Sequence, residues 1–220
     1  SDVYKRQPLW LSNVAQVTSG LSHFKDTLVV LKTFEFVGVV NNSQKALRDN
    51  LYERSKVLLN KDVIVSVVGG EHSVPLGLLM ALNDKYSAFG ILQIDAHCDL
   101  RDSYDGSKQS HACAMRRCME INDKTNLYRF GIRNTSKSEA QYIKDNSHRI
   151  RTNIIPENKK LYLTFDIDAF DISLMPATGT PEPGGLMWSE TISLLDEIIK
   201  KNTIVAVDVV ELSLIHISEP

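Results

Sequence analysis

Hydrophobic and polar positions along this chain come in alternating blocks. Short runs rich in Val, Ile, Leu and aromatic residues fall at 63–68, 91–94, 127–132, 161–165 and 203–207, each the length of a buried strand. A similar run at 28–40 predicts an earlier strand. Between these runs, apolar residues recur at helical spacing. The spacing predicts helices over 43–60, with Leu47, Leu51, Val57 and Leu58 on one face and Ser43 as cap, over 74–86 with Pro75 in the first turn, and over 111–122, 136–146 and 189–201. Two longer connections stand out: a polar loop at 100–109 and a Pro- and Gly-bearing loop at 175–185. Strand-helix alternation of this kind implies a parallel sheet covered on both faces. There is no repeat, low-complexity stretch or linker, so a single α/β domain is expected.

Three of the strand-like runs lead directly into short motifs rich in Asp, Glu and His. Gly69-Gly70-Glu71-His72-Ser73 comes after the 63–68 run, Asp95-Ala96-His97-Cys98-Asp99 after 91–94, and Asp166-Ile167-Asp168 after 161–165. Residues at strand ends of a parallel sheet gather on one edge, where such folds build their sites. Residues two apart on an extended segment face the same side, so Asp95, His97 and Asp99 can share one locus, as can Asp166 and Asp168. Four aspartates converging with His72 and His97 would repel one another without a cation. This pattern predicts a metal site, and one for two ions. Carboxylate with imidazole suits Mn, Fe or Zn better than Ca. Two such ions would lower the pKa of a shared water.

Three further residues carry possible chemistry. His111, in Ser110-His111-Ala112, reads either as a helix-start surface residue or as a proton gate between the site and solvent. Glu211, after the last strand, reads either as an exposed acid or as a holder of a planar guanidinium. Cys98 sits between ligand candidates, but alternation turns its side chain away from them, so it reads as packing.

Composition narrows the class without choosing it. The 220 residues are 43% hydrophobic and 24% charged with a formal net charge of -2, which gives no electrostatic case for nucleic acid or a membrane surface as partner. No run approaches membrane-spanning length, and no signal-peptide pattern opens the chain. The cysteines, Cys98, Cys113 and Cys118, are odd in number and form no C-x-x-C pair, which suits reduced thiols in the cytoplasm. Residues 1–22 show no clear period. The strings at 1–7 and 213–220 resemble translated sequencing adapter, so an open reading frame truncated at both ends is expected.

Taken together, GGEHS, DAHCD, SHA, FDIDAFD, TGTPEPGGL (residues 178–186) and DVVE, in this order, resemble the ureohydrolase family of arginases, agmatinases and related amidinohydrolases. The resemblance implies a three-layer α/β/α sandwich around a mostly parallel sheet, with two Mn2+ ions at its carboxyl edge. It implies that His72, Asp95, Asp99 and Asp166 hold one ion and Asp95, His97, Asp166 and Asp168 the other. It also implies that hydroxide attacks a guanidinium carbon to yield urea and an amine. By the same resemblance Asp99 passes a proton to the leaving nitrogen, His111 shuttles protons and Glu211 binds the guanidinium.

Within the family, the stretch from Asp99 to Gly106, with Ser110-His111-Ala112 and Met115-Arg116-Arg117, is most like agmatinase. Asp99, Asp102 and Asp105 make acidic walls suited to agmatine, cationic at both ends, while Arg101 keeps an arginine substrate open. The resemblance further implies polyamine biosynthesis, putrescine as the amine product, and trimers or hexamers of the full-length protein. Other readings are an arginase or other guanidino-compound hydrolase, a metal-dependent phosphoesterase, and an inactive fragment. The phosphoesterase reading lacks a glycine-rich phosphate loop.

Overall fold

The computed structural model describes residues 44–61 and 63–212; the expected strand at 28–40, the Ser43 cap and both terminal strings lie outside them. Within them, helices and strands alternate as α1 (Gln44–Leu59), β1 (Val65–Val68), α2 (Pro75–Lys85), β2 (Gly90–Ile94), α3 (Ala114–Ile121), β3 (Asn126–Phe130), α4 (Lys137–Asp145), β4 (Ile150–Thr152), β5 (Lys160–Asp166), α5 (Trp188–Lys201) and β6 (Thr203–Val210). The six strands form one sheet in the order β1-β6-β5-β2-β3-β4, and every pairing is parallel. All strands therefore end on the same edge.

Each face of the sheet carries its own apolar cluster, because alternate side chains of a strand point to opposite sides. Ile91, Leu127, Tyr162 and Ala206 pack with Leu78, Leu79 and Leu82 of α2 and Met115 and Cys118 of α3. Leu92, Ile94, Phe130, Leu163 and Phe165 pack with Ile198 of α5 on the other face. The result is the layered α/β arrangement expected from the block pattern. On the α2/α3 face the strands become polar towards their ends. Gln93, Thr164 and Asp208 lie in register on β2, β5 and β6, forming one buried rung. Asp95 and Asp166 come two residues further along.

Several local expectations shift. Of the face expected on α1, Leu58 packs against the core and Leu51 lies against Gly77, but Val57 is 59% exposed and the fully buried residues are Ser55 and Leu59. The segment expected as one helix from 111 begins as a 3₁₀ turn, His111–Cys113, before α3. The short strand β4 carried no periodic signal. Helix α4 has the cap its sequence implies: Ser136 and Glu139 form a reciprocal capping box. Glu139 also accepts from the Leu100 amide at 3.1 Å, tying the helix to the loop that leaves Asp99.

Gly131, just past β3, is where the backbone must clear the site. Its φ is +84°, and a Cβ there would lie 2.9 Å from the Asp95 carbonyl oxygen. Gly131→Ala is expected to destabilise the protein by about 1–3 kcal/mol, read as a lower urea midpoint at unchanged m-value. An unshifted midpoint would show that the backbone relaxes freely here.

Candidate metal centre

The three motifs meet at the carboxyl edge. Asp95 follows β2, Asp166 ends β5, and His72 sits in the turn between β1 and α2. Asp168 lies in a 3₁₀ turn directly after β5. His72 and all four aspartates are buried, at 6% exposure or less. The Nδ1 of His72 has three carboxylate oxygens around it: Asp99 Oδ2 at 3.0 Å, Asp166 Oδ2 at 3.1 Å and Asp95 Oδ2 at 3.2 Å. The Nδ1 of His97 faces Asp168 Oδ2 at 2.9 Å and Asp95 Oδ1 at 3.8 Å. These contacts make two ligand groups, His72 with Asp95 and Asp99, and Asp95 with His97 and Asp168; each set of atoms lies within 4.8 Å. Asp95 belongs to both.

Asp95, Asp166, Asp168 and His72 are each held from behind. The amide of His97 donates to Asp95 Oδ1 at 2.6 Å, and that of Asp168 to Asp166 Oδ1 at 2.8 Å. The Ala96 amide donates to Asp168 Oδ1 at 3.1 Å, and Gln93 Nε2 to Asp95 Oδ2 at 2.8 Å. Behind His72, its Nε2 lies 3.0 Å from Thr164 Oγ1, which donates to Asp208 Oδ1 at 2.8 Å. The Tyr162 hydroxyl donates to the other oxygen of Asp208.

Burial and mutual contact shift these groups strongly. Burial, aided by the Asp99 charge, pushes Asp95 up to about 7. Burial and the charge of Asp95 push Asp166 well above the usual carboxylate range. Burial opposes charging His72, yet contact with Asp166, Asp95 and Asp99 raises it well above its ordinary value. Burial likewise opposes charging His97, but Asp168 outweighs it and lifts the group to about 9. Asp168 is desolvated too, and contact with His97 holds it below the usual range. The buried His72 Nδ1 has no hydrogen-bond partner despite its three close oxygens. An imidazole nitrogen aimed at three converging carboxylate oxygens, all buried, is a donor set that fits divalent cations.

A cavity of about 210 Å³ opens over these groups, lined also by His111, Glu182, Glu211, Arg101 and Tyr104. Glu211 stands at its wall with Oε1 accepting from the His72 amide at 3.0 Å, and burial raises its pKa. Its φ is +58°, and that of Asp99 is +53°, a region non-glycine residues seldom occupy. His111 is more distant from the aspartates. Its Nδ1 lies 3.7 Å from Glu71 Oε1 and its ring packs edge-on against Tyr104. Cys98 turns away, as alternation requires, towards Thr135 Oγ1 at 3.1 Å and Arg129. All three cysteines are free.

Two expectations about the acidic walls need correction. Asp102 does not line the cavity; it pairs with Arg117 at 3.0 Å and Lys108 at 3.5 Å. Asp105 is absent from the lining as well. The long loop supplies the acid instead. Glu182 reaches His97 Nε2 at 3.5 Å and accepts from Asn134. The loop is clamped by Arg133, whose guanidinium donates to the carbonyls of Glu182 at 2.7 Å and Asp168 at 2.7 Å. Neither Glu182 nor Arg133 was singled out in the sequence; the only signal was the 178–186 motif that contains Glu182.

Known proteins resemble this chain in sequence and fold. The chain is 35% identical over 164 residues to an N(1)-aminopropylagmatine ureohydrolase of Synechocystis sp., covering 68% of this chain and 53% of that protein. It is 32% identical over 186 residues to an agmatinase of Bacillus cereus, covering 80% of this chain and 64% of that protein. The chain thus spans about half to two-thirds of the length of these relatives. The crystal structure of an agmatine ureohydrolase of Thermoplasma volcanium superposes with a TM-score of 0.65 at 26% identity, covering 80% of this chain and 63% of that one. Residues 12–216 match the arginase family, and the chain belongs to that family.

Proposed function

We propose that this chain carries a binuclear-manganese hydrolase centre that cleaves the guanidinium group of agmatine, giving putrescine and urea. The observation that carries the reading is the pair of ligand groups sharing Asp95 beneath an acid-lined cavity. His72, Asp95, Asp99 and Asp166 would hold one cation; Asp95, His97, Asp166 and Asp168 would hold the other. Oxygen and imidazole donors with no thiolate among them suit Mn2+. Bound there, the ions would supply Lewis acidity and an acidified water near neutral pH.

The chain's own residues do the rest. Glu211, held by the His72 amide and facing the cavity, would take the planar guanidinium and fix its carbon over the aspartates. Asp99 lies close enough to His72 to belong to the ligand group and also lines the cavity, so its carboxylate can take a proton from the attacking water and pass it to the leaving nitrogen. His111, 44% exposed at its side chain, can exchange protons between the cavity and solvent. Substrate choice follows from charge. Arg101, the residue that suggested an α-carboxylate, stacks over the Tyr104 ring at 4.9 Å and lies 3.9 Å from Glu139. Glu182 and Glu211 therefore meet the substrate as acids, which suits a molecule cationic at both ends. A second reading, N(1)-aminopropylagmatine, is supported by the name of the Synechocystis relative, because an added amine meets the same acidic lining. A trimer or hexamer in the cytoplasm belongs to the same proposal.

The test is urea release by the Mn2+-loaded protein from agmatine, N(1)-aminopropylagmatine and arginine in parallel. Urea from agmatine well above that from arginine is expected. Equal or better turnover of arginine overturns the substrate assignment, and a preference for the aminopropyl compound moves it to the second reading. Glu211→Gln keeps an oxygen for the His72 amide but loses the charge. It is expected to lower kcat/KM by about 10–100-fold, the worth of one hydrogen bond to a charged group; unaltered kcat/KM would remove Glu211 from substrate binding. Metal uptake must displace the proton that His97 holds up to about 9. His72, also raised well above its ordinary value, must give up its proton too, so apparent Mn2+ affinity is expected to rise with pH from 6 through about 9. Titrations at several pH values check this, and a flat profile would show that neither imidazole gives up a proton to the metal.

A further inference from the structure

The rung beneath the ligands has no part in the chemistry above, yet it contains Asp208, a fully buried carboxylate. Asp208 lies in mid-strand on β6, with Thr164 opposite on β5 and Gln93 opposite Thr164 on β2. A buried acid at the centre of a sheet is expensive unless its oxygens are satisfied. Here both are: Thr164 Oγ1 donates to Oδ1 at 2.8 Å and the Tyr162 hydroxyl donates to Oδ2. That arrangement fixes the direction of the Thr164 hydroxyl. Its single proton goes to Asp208, so towards His72 Nε2, 3.0 Å away, it can offer only a lone pair. The neutral His72 ring, the form that can ligate a metal, must then carry its proton on Nε2, which leaves Nδ1 bare towards Asp95, Asp99 and Asp166.

We infer that Asp208 and Thr164 are positioning residues that lock His72 in the tautomer and orientation required of a metal ligand. The relay runs from carboxylate to hydroxyl to imidazole, and it acts on the metal only through His72. It differs from the support of His97, whose Nε2 faces Glu182 directly at 3.5 Å on the cavity side. The two imidazoles thus have unlike supports: His72 has a dry, fixed one built into the sheet, and His97 one carried by a loop. The inference rests on the metal-site reading above.

The test is Mn2+ affinity of the intact chain, measured by competition with a fluorescent chelator, with thermal melting of the metal-free proteins alongside. Thr164→Val keeps the shape but removes the hydroxyl. It is expected to weaken Mn2+ binding by about 10–100-fold, as loss of an outer-shell partner does. Thr164→Ser, which restores the hydroxyl, is expected to return affinity to near wild type, and Asp208→Asn to weaken it in the direction of Thr164→Val. Wild-type affinity in Thr164→Val overturns the relay. So does a loss in Thr164→Ser as large as that in Thr164→Val with a matching fall in melting temperature, since this would mark Thr164 as packing. Wild-type protein that takes up no Mn2+ overturns the metal-site reading itself, and the relay with it.

Discussion

Burying Asp95, Asp99, Asp166 and Asp168 together is the constraint around which the carboxyl edge is built. An unpaired buried charge costs several kcal/mol even after relaxation. The fold offsets this by dividing the labour of the oxygens. Asp95 Oδ1 takes the His97 amide, Asp166 Oδ1 the Asp168 amide and Asp168 Oδ1 the Ala96 amide. The Oδ2 atoms of the same residues point at the imidazoles. Two of these contacts are made by the amide two residues on, which is the natural reach of an aspartate at a strand end. The D-x-H and D-x-D spacings thus do two jobs, putting ligands on one side and supplying the donors that let them be buried.

Compensation continues into the sheet and out into the loops. Below, the polar rung of Gln93, Thr164 and Asp208 takes the place of apolar core on one face only, while Leu92, Ile94, Leu163 and Phe165 keep the opposite face dry. Above, the chain accepts strain. Asp99 and Glu211 adopt left-handed backbone, an unfavourable choice for aspartate and more so for glutamate. Both are held in place by neighbours: the carbonyl of Asp99 accepts from the Arg116 amide at 3.0 Å, and Glu211 holds the His72 amide. Gly185 allows the long loop to pass so close to Phe170 that a Cβ would collide with its carbonyl.

The sequence made the sheet edge legible because strand periodicity and motif spacing are local properties. Runs of Val, Ile and Leu identify β1, β2, β3, β5 and β6, and the acids directly after three of them must meet if the sheet is parallel. The features that stayed hidden were set by contacts distant in sequence. The three-residue β4 is a strand only because Leu127, Tyr128 and Arg129 lie beside it. The inward face of α1 depends on its packing against α2, which is why Val57 faces out although it is apolar. Asp102 was read as a cavity wall on composition, but Arg117, fifteen residues along, draws it to the surface. Glu182 enters the site only because Arg133 clamps its loop from forty-nine residues away. The roles of Asp99, His111 and Glu211 came from the family resemblance rather than from periodicity.

Charge accounting then links the metal to the substrate class. Four carboxylates make up the proposed ligand set, and the remaining acids of the cavity, Glu139, Glu182 and Glu211, differ in what they are free to do. Glu139 is taken by its own capping box and the Leu100 amide. Glu211 gives one oxygen to a backbone amide and lines the cavity; Glu182 is 30% exposed at its side chain and bridges Asn134 and His97. Arg101 is stacked on Tyr104 and directed at Glu139, so the cavity retains more free anion than free cation. An α-carboxylate entering here would meet two acids, and a second amine would meet two partners. On the proposed reading, discrimination would follow from which charges the fold has already used, and so would reside in the packing of Arg101 and Glu139 as much as in any group that touches the substrate.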